Sequence, residues 1–275
     1  LYKGKGNNNT AIGGYAGYQT TTGIDNFFGG YRSGNENTTG NYNSTAGNYT
    51  LYKNTTGAQN TTMGYYAAFE NITGNYNTTL GAYAGYNNTG GQKNVNVGYV
   101  AGYGNAGVTS CDNNTIVGYY AGRSITTGNT NTLIGYYAGH NTTTAGENSA
   151  LGVYSLFTNT TGTGLAAGGG YSLRYNTTGS YNTGFGYQAL TANTTASYNT
   201  ALGYNSAQAN TTGGYNVAIG SLALDASTTA NDNTAVGHEA LGANTTGAGN
   251  TSVGSLAGRF NTTGNNNTNV GVQAG

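Results

Sequence analysis

The stretch at residues 216–220 reads Asn-Val-Ala-Ile-Gly, and variants of this five-residue phrase return sixteen times along the chain. We number each copy from its first residue, which is place one. The copies begin at Asn9, Asn26, Asn43, Asn60, Asn77, Asn94, Asn114, Asn131, Asn148, Leu165, Asn182, Asn199, Asn216, Asn233, Asn250 and Asn267. Every spacing is 17 residues except the one of 20 between Asn94 and Asn114. A fixed period of this size predicts a solenoid, in which each repeat forms one coil.

The absence of one dipeptide indicates whether the strands of neighbouring coils run parallel or antiparallel. The chain has 50 Gly and no Pro, yet Asn is never followed directly by Gly, the pair favoured in two-residue hairpins. We therefore predict an all-β fold, a parallel β-solenoid or β-roll of about sixteen 17-residue coils. Residues 1–275 would form a single repeat domain, with a three-residue insertion in the coil 94–113. Sixteen coils about 4.8 Å apart would make a rod roughly 75 Å long.

Within the phrase, side-chain size suggests which places face inward. Place two is mainly Thr and place four mainly apolar, so the sequence predicts that both point into the coil. Place eight is always Ala, Ser or Thr, which predicts a tight inward site. Place five is always Gly, which indicates a backbone angle or a close approach that a Cβ would block. These structural glycines are Gly13, Gly30, Gly47, Gly64, Gly81, Gly98, Gly118, Gly135, Gly152, Gly169, Gly186, Gly203, Gly220, Gly237, Gly254 and Gly271.

A second phrase, Asn-Thr-Thr-Gly, stands in seven coils, with variants such as Asn-Thr-Thr-Ala in others, and is typical of a turn. We expect its Gly to supply a positive φ. The same letters form an N-glycosylation acceptor, so two interpretations stay open: a turn, or a longitudinal row of sugars. The candidate acceptors are Asn37, Asn54, Asn71, Asn88, Asn159, Asn176, Asn193, Asn210, Asn244 and Asn261.

Composition argues against several classes of function. The formal charge is zero and only 6% of residues are charged, so a nucleic-acid surface is not expected. No stretch reaches the roughly 20 apolar residues of a membrane span. The eight carboxylates are scattered along the repeats and His140 lies about six coils from His238, so we expect no catalytic residues, no metal site and no cofactor. Cys111 has no partner in the chain and is either a free thiol, which we favour, or an inter-chain link.

Tyrosine is the abundant aromatic residue, with 26 copies concentrated at places six, seven and ten. Columns of Tyr can bind sugars or a second chain, or can stack on one another to stiffen the coil. Place ten changes from aromatic residues in early coils to Arg123, His140 and Arg174 later, which indicates that it faces outward. The sequence does not decide between an interface and a self-stacking ladder.

The phrases at residues 9–13, 216–220 and 233–237, each followed by a small residue three places later, resemble head-domain repeats of trimeric autotransporter adhesins. Similar Asn-, Gly- and Thr-rich repeats occur in tail-fibre-like proteins. The resemblance implies a left-handed parallel β-roll, association of three chains, and a surface that binds host matrix or other cells. The period of 17 and the Tyr-rich Asn-Thr-Thr-Gly turn depart from the adhesin pattern.

From these observations we expect an extracellular or cell-surface structural protein, or a virion fibre, and not an enzyme. Its partners would be copies of itself, stacked head to tail or as a trimer, because the two ends of the sequence fall in register with the repeat. The alternative is an adhesin module that binds glycans, and an ice-binding protein with Thr ladders is a third hypothesis.

Overall fold

The structure is a computed structural model that describes residues 6–105 and 110–275. It confirms the predicted class: the described chain is an all-β parallel β-solenoid with coils about 17 residues apart. Each coil contributes one three-residue strand made of places two to four. The strands are β1 (Thr10–Ile12), β2 (Phe27–Gly29), β3 (Ser44–Ala46), β4 (Thr61–Met63), β5 (Thr78–Leu80), β6 (Val95–Val97), β7 (Thr115–Val117), β8 (Thr132–Ile134), β9 (Ser149–Leu151), β10 (Ala166–Gly168), β11 (Thr183–Phe185), β12 (Thr200–Leu202), β13 (Val217–Ile219), β14 (Thr234–Val236), β15 (Thr251–Val253) and β16 (Thr268–Val270).

The coils fall into two compact units. The first unit is Leu1–Thr144, with β1 to β8, and the second is Ala145–Gly275, with β9 to β16. Within each unit consecutive strands pair in parallel and in sequence order, as where Val217 pairs with Thr234. The pairing of Val95 with Thr115 keeps this register across the 20-residue spacing. The stretch 106–109, which belongs to the coil 94–113 with the predicted three-residue insertion, lies outside the described residues.

The strands carry their side chains in the opposite phase to the one predicted. Place three is buried in every coil except the first and the last, and place two is buried in none. Place four is exposed or half-buried in every coil except at Gly168. The expectation that places two and four point inward was therefore wrong, although the alternation itself was right. A one-residue error of phase moves a whole strand face from the core to the solvent.

The core is filled jointly by places three and nine. Where place three is large, place nine is Gly, and a Cβ built on Gly34 or Gly139 would collide with Phe28 or Leu133. Where place three is small, as at Ala167, place nine is often a buried Leu. The fully buried Leu residues at place nine are Leu51, Leu156, Leu173, Leu190, Leu224 and Leu241. The predicted inward site at place eight is confirmed, since Ala67, Ala138 and Ser172 are each 0% exposed.

Positive φ angles recur at four places in each coil: five, seven, nine and seventeen. The glycines at place five have φ between 114° and 142°. A Cβ at Gly203 would lie 2.5 Å from the carbonyl oxygen of Gly220 in the next coil, so the site combines a left-handed backbone with a close approach. Places seven and seventeen reach φ near 60° mostly without Gly, as at Tyr171 and Tyr215.

The Gly of the Asn-Thr-Thr-Gly turn does not have the predicted positive φ, and that expectation was wrong. Its place, fifteen, is instead restricted by a neighbour, because a Cβ there points at the carbonyl oxygen of the next coil. At Gly57 that oxygen belongs to Gly74, 2.5 Å from the ideal Cβ position. Ala145, Ala196 and Ala230 occupy the same place, so a methyl group is accommodated in some coils.

Candidate functional site

Buried asparagines at place one connect most coils to the next, and the one exception to Asn at this place is Leu165. The Asn60 side chain donates from Nδ2 to Oδ1 of Asn43 (3.1 Å) and to the carbonyl oxygen of Gly74 (2.9 Å). The Asn43 Oδ1 also accepts the backbone N–H of Asn60, at 3.1 Å. The same pattern recurs in the second unit, where Asn233 donates to Asn216 and Gly247. Because the amides are buried and paired, this ladder links the coils without an unsatisfied donor.

The predicted glycosylation acceptors form a second internal ladder at place twelve. The Asn54 Nδ2 donates to Asn37 Oδ1 at 2.7 Å and to the Gly57 carbonyl oxygen at 2.9 Å. Asn176 makes the same two bonds to Asn159 and Gly179. All ten of these asparagines except Asn261 are buried, and Asn88, which is followed by Thr-Gly, lacks the Ser or Thr that the acceptor triplet requires at its third position. A sugar is joined through Nδ2, so glycosylation of the folded chain would require these internal bonds to break, and the geometry favours the turn interpretation.

The two threonines of the turn have different surroundings. At place thirteen the hydroxyl is used within the coil wall: Thr38 Oγ1 donates to the Thr55 carbonyl oxygen (2.9 Å), and Thr177 Oγ1 to that of Thr194 (3.0 Å). At place fourteen the side chain faces solvent, as at Thr39 and Thr178. Each turn therefore presents one outward Thr column rather than two.

Tyrosines form stacked columns on the outside of the coils. The rings of Tyr49 and Tyr66 lie 4.8 Å apart and within 5° of parallel, and Tyr83 continues this place-seven column. At place ten, Tyr52 stacks on Phe69 at 5.1 Å. Another column, at place seventeen, runs through Tyr181, Tyr198 and Tyr215. Successive rings in these three columns cover each other's faces, which is the geometry of a self-stacking ladder.

Place ten is only partly outward, because most of its side chains are half-buried. Its column is interrupted at Gly242, beside a shallow cavity of about 290 Å³ lined by Asp225, Glu239 and Arg259. The Arg259 Nε lies 2.7 Å from Glu239 Oε2. Burial raises the pKa of Asp225. Arg259 and Glu239 therefore form an ion pair, and Asp225 is a partly desolvated carboxyl beside it.

The most unexpected surface is the outer face of the strands. In both units place four carries large apolar side chains that are open to solvent, although place four was expected to be core. Met63 is 52% exposed, Phe185 44% and Ile219 37%. We call the side chains at places two, four and six the apolar face. No Asp, Glu, Lys or Arg occupies any of these places in any coil. The signal in the sequence that could have revealed this outer face is the absence of Asp, Glu, Lys and Arg at these three places.

The remaining candidates do not assemble a reactive site. Within residues 6–105 and 110–275, no group of three or more His, Cys, Asp or Glu side chains is placed to hold a metal ion. Cys111 is a free, buried thiol, so an inter-chain link through it was the weaker of the two interpretations. It occupies the turn-glycine place, where its carbonyl oxygen accepts a 2.6 Å hydrogen bond from Asn94. In the described part of the chain, no helix has the length and apolarity that crossing a membrane requires.

Comparison with known proteins gives no family. No protein-family model matches the chain, and neither a curated protein nor a solved structure shows significant similarity to it. The likeness to trimeric autotransporter head repeats therefore rests on the sequence phrases alone and stays a prediction.

Proposed function

We propose that this protein is a non-catalytic structural component of an extracellular fibre or stalk. The observation that carries the proposal is the ladder of buried place-one asparagines. In both units most coils are joined to their neighbours by the same kind of amide hydrogen bond, as between Asn43 and Asn60 and between Asn216 and Asn233, and the one place-one residue that is not Asn is Leu165. A chain that repeats one set of bonds at fixed intervals is suited to length and stiffness rather than to a localised site.

The character of the surface supports the same function. Outward places carry Thr, Tyr and apolar residues, and the only ion pairs between acidic residues and Lys or Arg in the described part of the chain are Lys53–Glu70 and Arg259–Glu239. The extracellular location rests on the resemblance to adhesin and tail-fibre repeats. In this proposal the protein assembles with copies of itself, needs no cofactor and catalyses no reaction.

Electron microscopy with immunogold labelling tests this function. Antibodies raised against the purified chain should label filaments, stalks or particle-borne fibres outside the source cells. The purified protein should itself appear as elongated particles in negative stain. Gold confined to the cell interior, or compact particles without elongation, would contradict a fibre component.

A glycan-binding adhesin is the second candidate function, favoured by exposed tyrosines such as Tyr204 and Tyr215. Because stacking covers most ring faces inside the columns, sugars would have to bind at column ends or ring edges. A glycan array probed with the purified chain separates the two functions: a saturable, sugar-specific signal favours the adhesin. The ice-binding hypothesis has less support, since only one Thr column per turn faces solvent.

A further inference from the structure

We propose that the apolar face is the surface on which a second copy of this chain docks side by side. The inference deepens the proposed function, on which it rests, by naming the partner and the surface. The face consists of places two, four and six on the outer side of the strands. Its place-four side chains include Leu151, Phe185, Leu202, Ile219 and Val253 in the second unit, each at least 36% exposed.

The first argument is the separation of charge from this face. All sixteen charged side chains of the sequence lie outside places two, four and six. Charged residues in the described coils, such as Lys53 and Arg123, are at places seven, ten, eleven, sixteen and seventeen. Place two is mainly Thr and place six includes His238, so the face combines a row of exposed apolar side chains at place four with uncharged polar neighbours at neutral pH. Exposed apolar patches of this kind mark interaction sites. Because the face carries no Asp, Glu, Lys or Arg, two copies can meet there without repulsion between such charges.

The second argument is the matching period. The strands pair in register, so Leu202 stands beside Ile219 and Ile219 beside Val236, one apolar side chain per coil. Adjacent strands are about 4.8 Å apart. A partner that contacts every row must offer groups at the same spacing over the same length, and a second copy of this chain does so. A compact partner with an irregular surface would contact only a few rows.

The third argument is area. Seven steps of about 4.8 Å and five residues of about 3.3 Å give each unit a strip of roughly 500 Å². When the strips of two copies face each other, each unit therefore buries roughly 1,000 Å² of total surface, which is the size expected of a specific interface with good complementarity. The face is therefore large enough for a stable complex when the corresponding faces of two copies meet.

Charge inserted into the face tests this proposal. The double variant Leu202→Lys/Ile219→Lys places two ammonium groups on adjacent rows at outward positions. The control, Thr212→Lys/Thr229→Lys, adds the same charge to the same two coils at place fourteen, where both threonines are exposed. Circular dichroism and thermal melting establish that each variant is folded. Sedimentation velocity from 1 to 100 µM then gives the mass, and solution scattering gives the mass per unit length.

The wild type and the control should sediment as dimers or larger assemblies, with at least twice the mass per unit length of a single chain. The face variant should be folded and should associate at least tenfold more weakly, because like charges on facing rows repel. A wild type with the mass per length of one chain, or a face variant that associates as tightly as the control, would overturn the proposal. Elongated particles with the width of a single chain would overturn the docking proposal but would remain consistent with the fibre function. Compact particles would contradict the fibre function itself.

Discussion

Coils of the two units differ in the place that most often supplies the large core side chain. In several coils of the first unit the strand supplies it and place nine is Gly, as in the pairs Ile116 with Gly122 and Leu133 with Gly139. In most coils of the second unit the strand residue is small and place nine is Leu, as in Ala150 with Leu156 and Ala167 with Leu173. The backbone at place nine hardly differs, since φ is 56° at Gly139 and 49° at Leu173.

This comparison shows that in these coils a large side chain at one of the two places is accompanied by a small residue at the other. Protein interiors are close-packed, so a large side chain on one wall requires a small one opposite. Each place viewed alone therefore looks variable and uninformative. Three experiments, ordered from the largest expected effect to the smallest, test which features the two kinds of coil share and which features distinguish them.

The largest effect should come from place five, which is the same in both kinds of coil. Gly118 and Gly203 have φ of 139° and 138°, and a Cβ on either would meet the backbone of the next coil. Gly118→Val and Gly203→Val should each lower the free energy of unfolding by about 3–5 kcal/mol, because backbone strain and a steric clash add. Urea denaturation measures the loss, and a variant that melts with the wild type would remove the special role given to this place.

An intermediate effect should come from converting one kind of coil into the other. Leu133→Ala should cost about 2–4 kcal/mol through the cavity it leaves. Gly139→Leu should cost about 1–3 kcal/mol, because its side chain overlaps that of Leu133. The double variant Leu133→Ala/Gly139→Leu reproduces the arrangement at Ala167 and Leu173 and should regain most of the stability.

A mispaired double variant is the control for this exchange. Leu133→Ala/Gly122→Leu has the same composition as the matched pair, but a Cβ at Gly122 meets Ile116. It should be no more stable than Leu133→Ala alone in the same urea titration. Equal stability of matched and mispaired variants would mean that the two places do not compensate within a coil.

The smallest effect concerns the rate at which Cys111 is alkylated, and it reports only on the first unit, which contains this residue. Burial raises the pKa of Cys111 to about 12, so very little thiolate exists at pH 8. Alkylation by iodoacetamide should be at least about tenfold slower in the folded chain than in urea, since only the thiolate reacts. In the folded chain the rate should keep rising with pH well above 9, because the group deprotonates only near 12.

Core variants in the two units should affect this labelling rate differently. Leu133→Ala loosens the unit that contains Cys111 and should speed the reaction, whereas Leu224→Ala in the second unit should leave it close to that of the wild type. The same acceleration by both variants would show that the units open together.

The repeat period, the parallel coil and the small inward residue at place eight could be predicted from the sequence because each is invariant along the chain. The strand phase could not, because Phe28, Thr79 and Ala218 share an inward place with nothing in common except a compensating partner six residues later. The apolar row at place four was taken for core by the ordinary rule that large apolar residues are buried. The rule fails here because these side chains lie on the outer face of the strands, the face that we propose as a docking surface.

The turn shows a second reason for error. Asn-Thr-Thr-Gly has the letters of both a Gly turn and a sugar acceptor, and both interpretations assume an Asn at the surface. In the structure Asn54 and Asn176 turn inward to bond the coil before them and their own turn. A local motif cannot reveal this, because the partner of each amide lies 17 residues away and exists only once the coils have stacked.

The asparagine ladders also affect how such a gene can change in length. Because Asn216 makes with Asn199 the same bonds that Asn233 makes with Asn216, removing residues 216–232 would bring Asn233 against Asn199 with every donor and acceptor replaced by its equivalent. Duplication of a 51-base-pair segment would likewise add a coil that finds its partners already in place. Selection can therefore act on the length of the solenoid alone when whole repeats are gained or lost. Insertions or deletions that are not multiples of 17 residues disrupt the ladder unless the extra or missing residues fall in a turn.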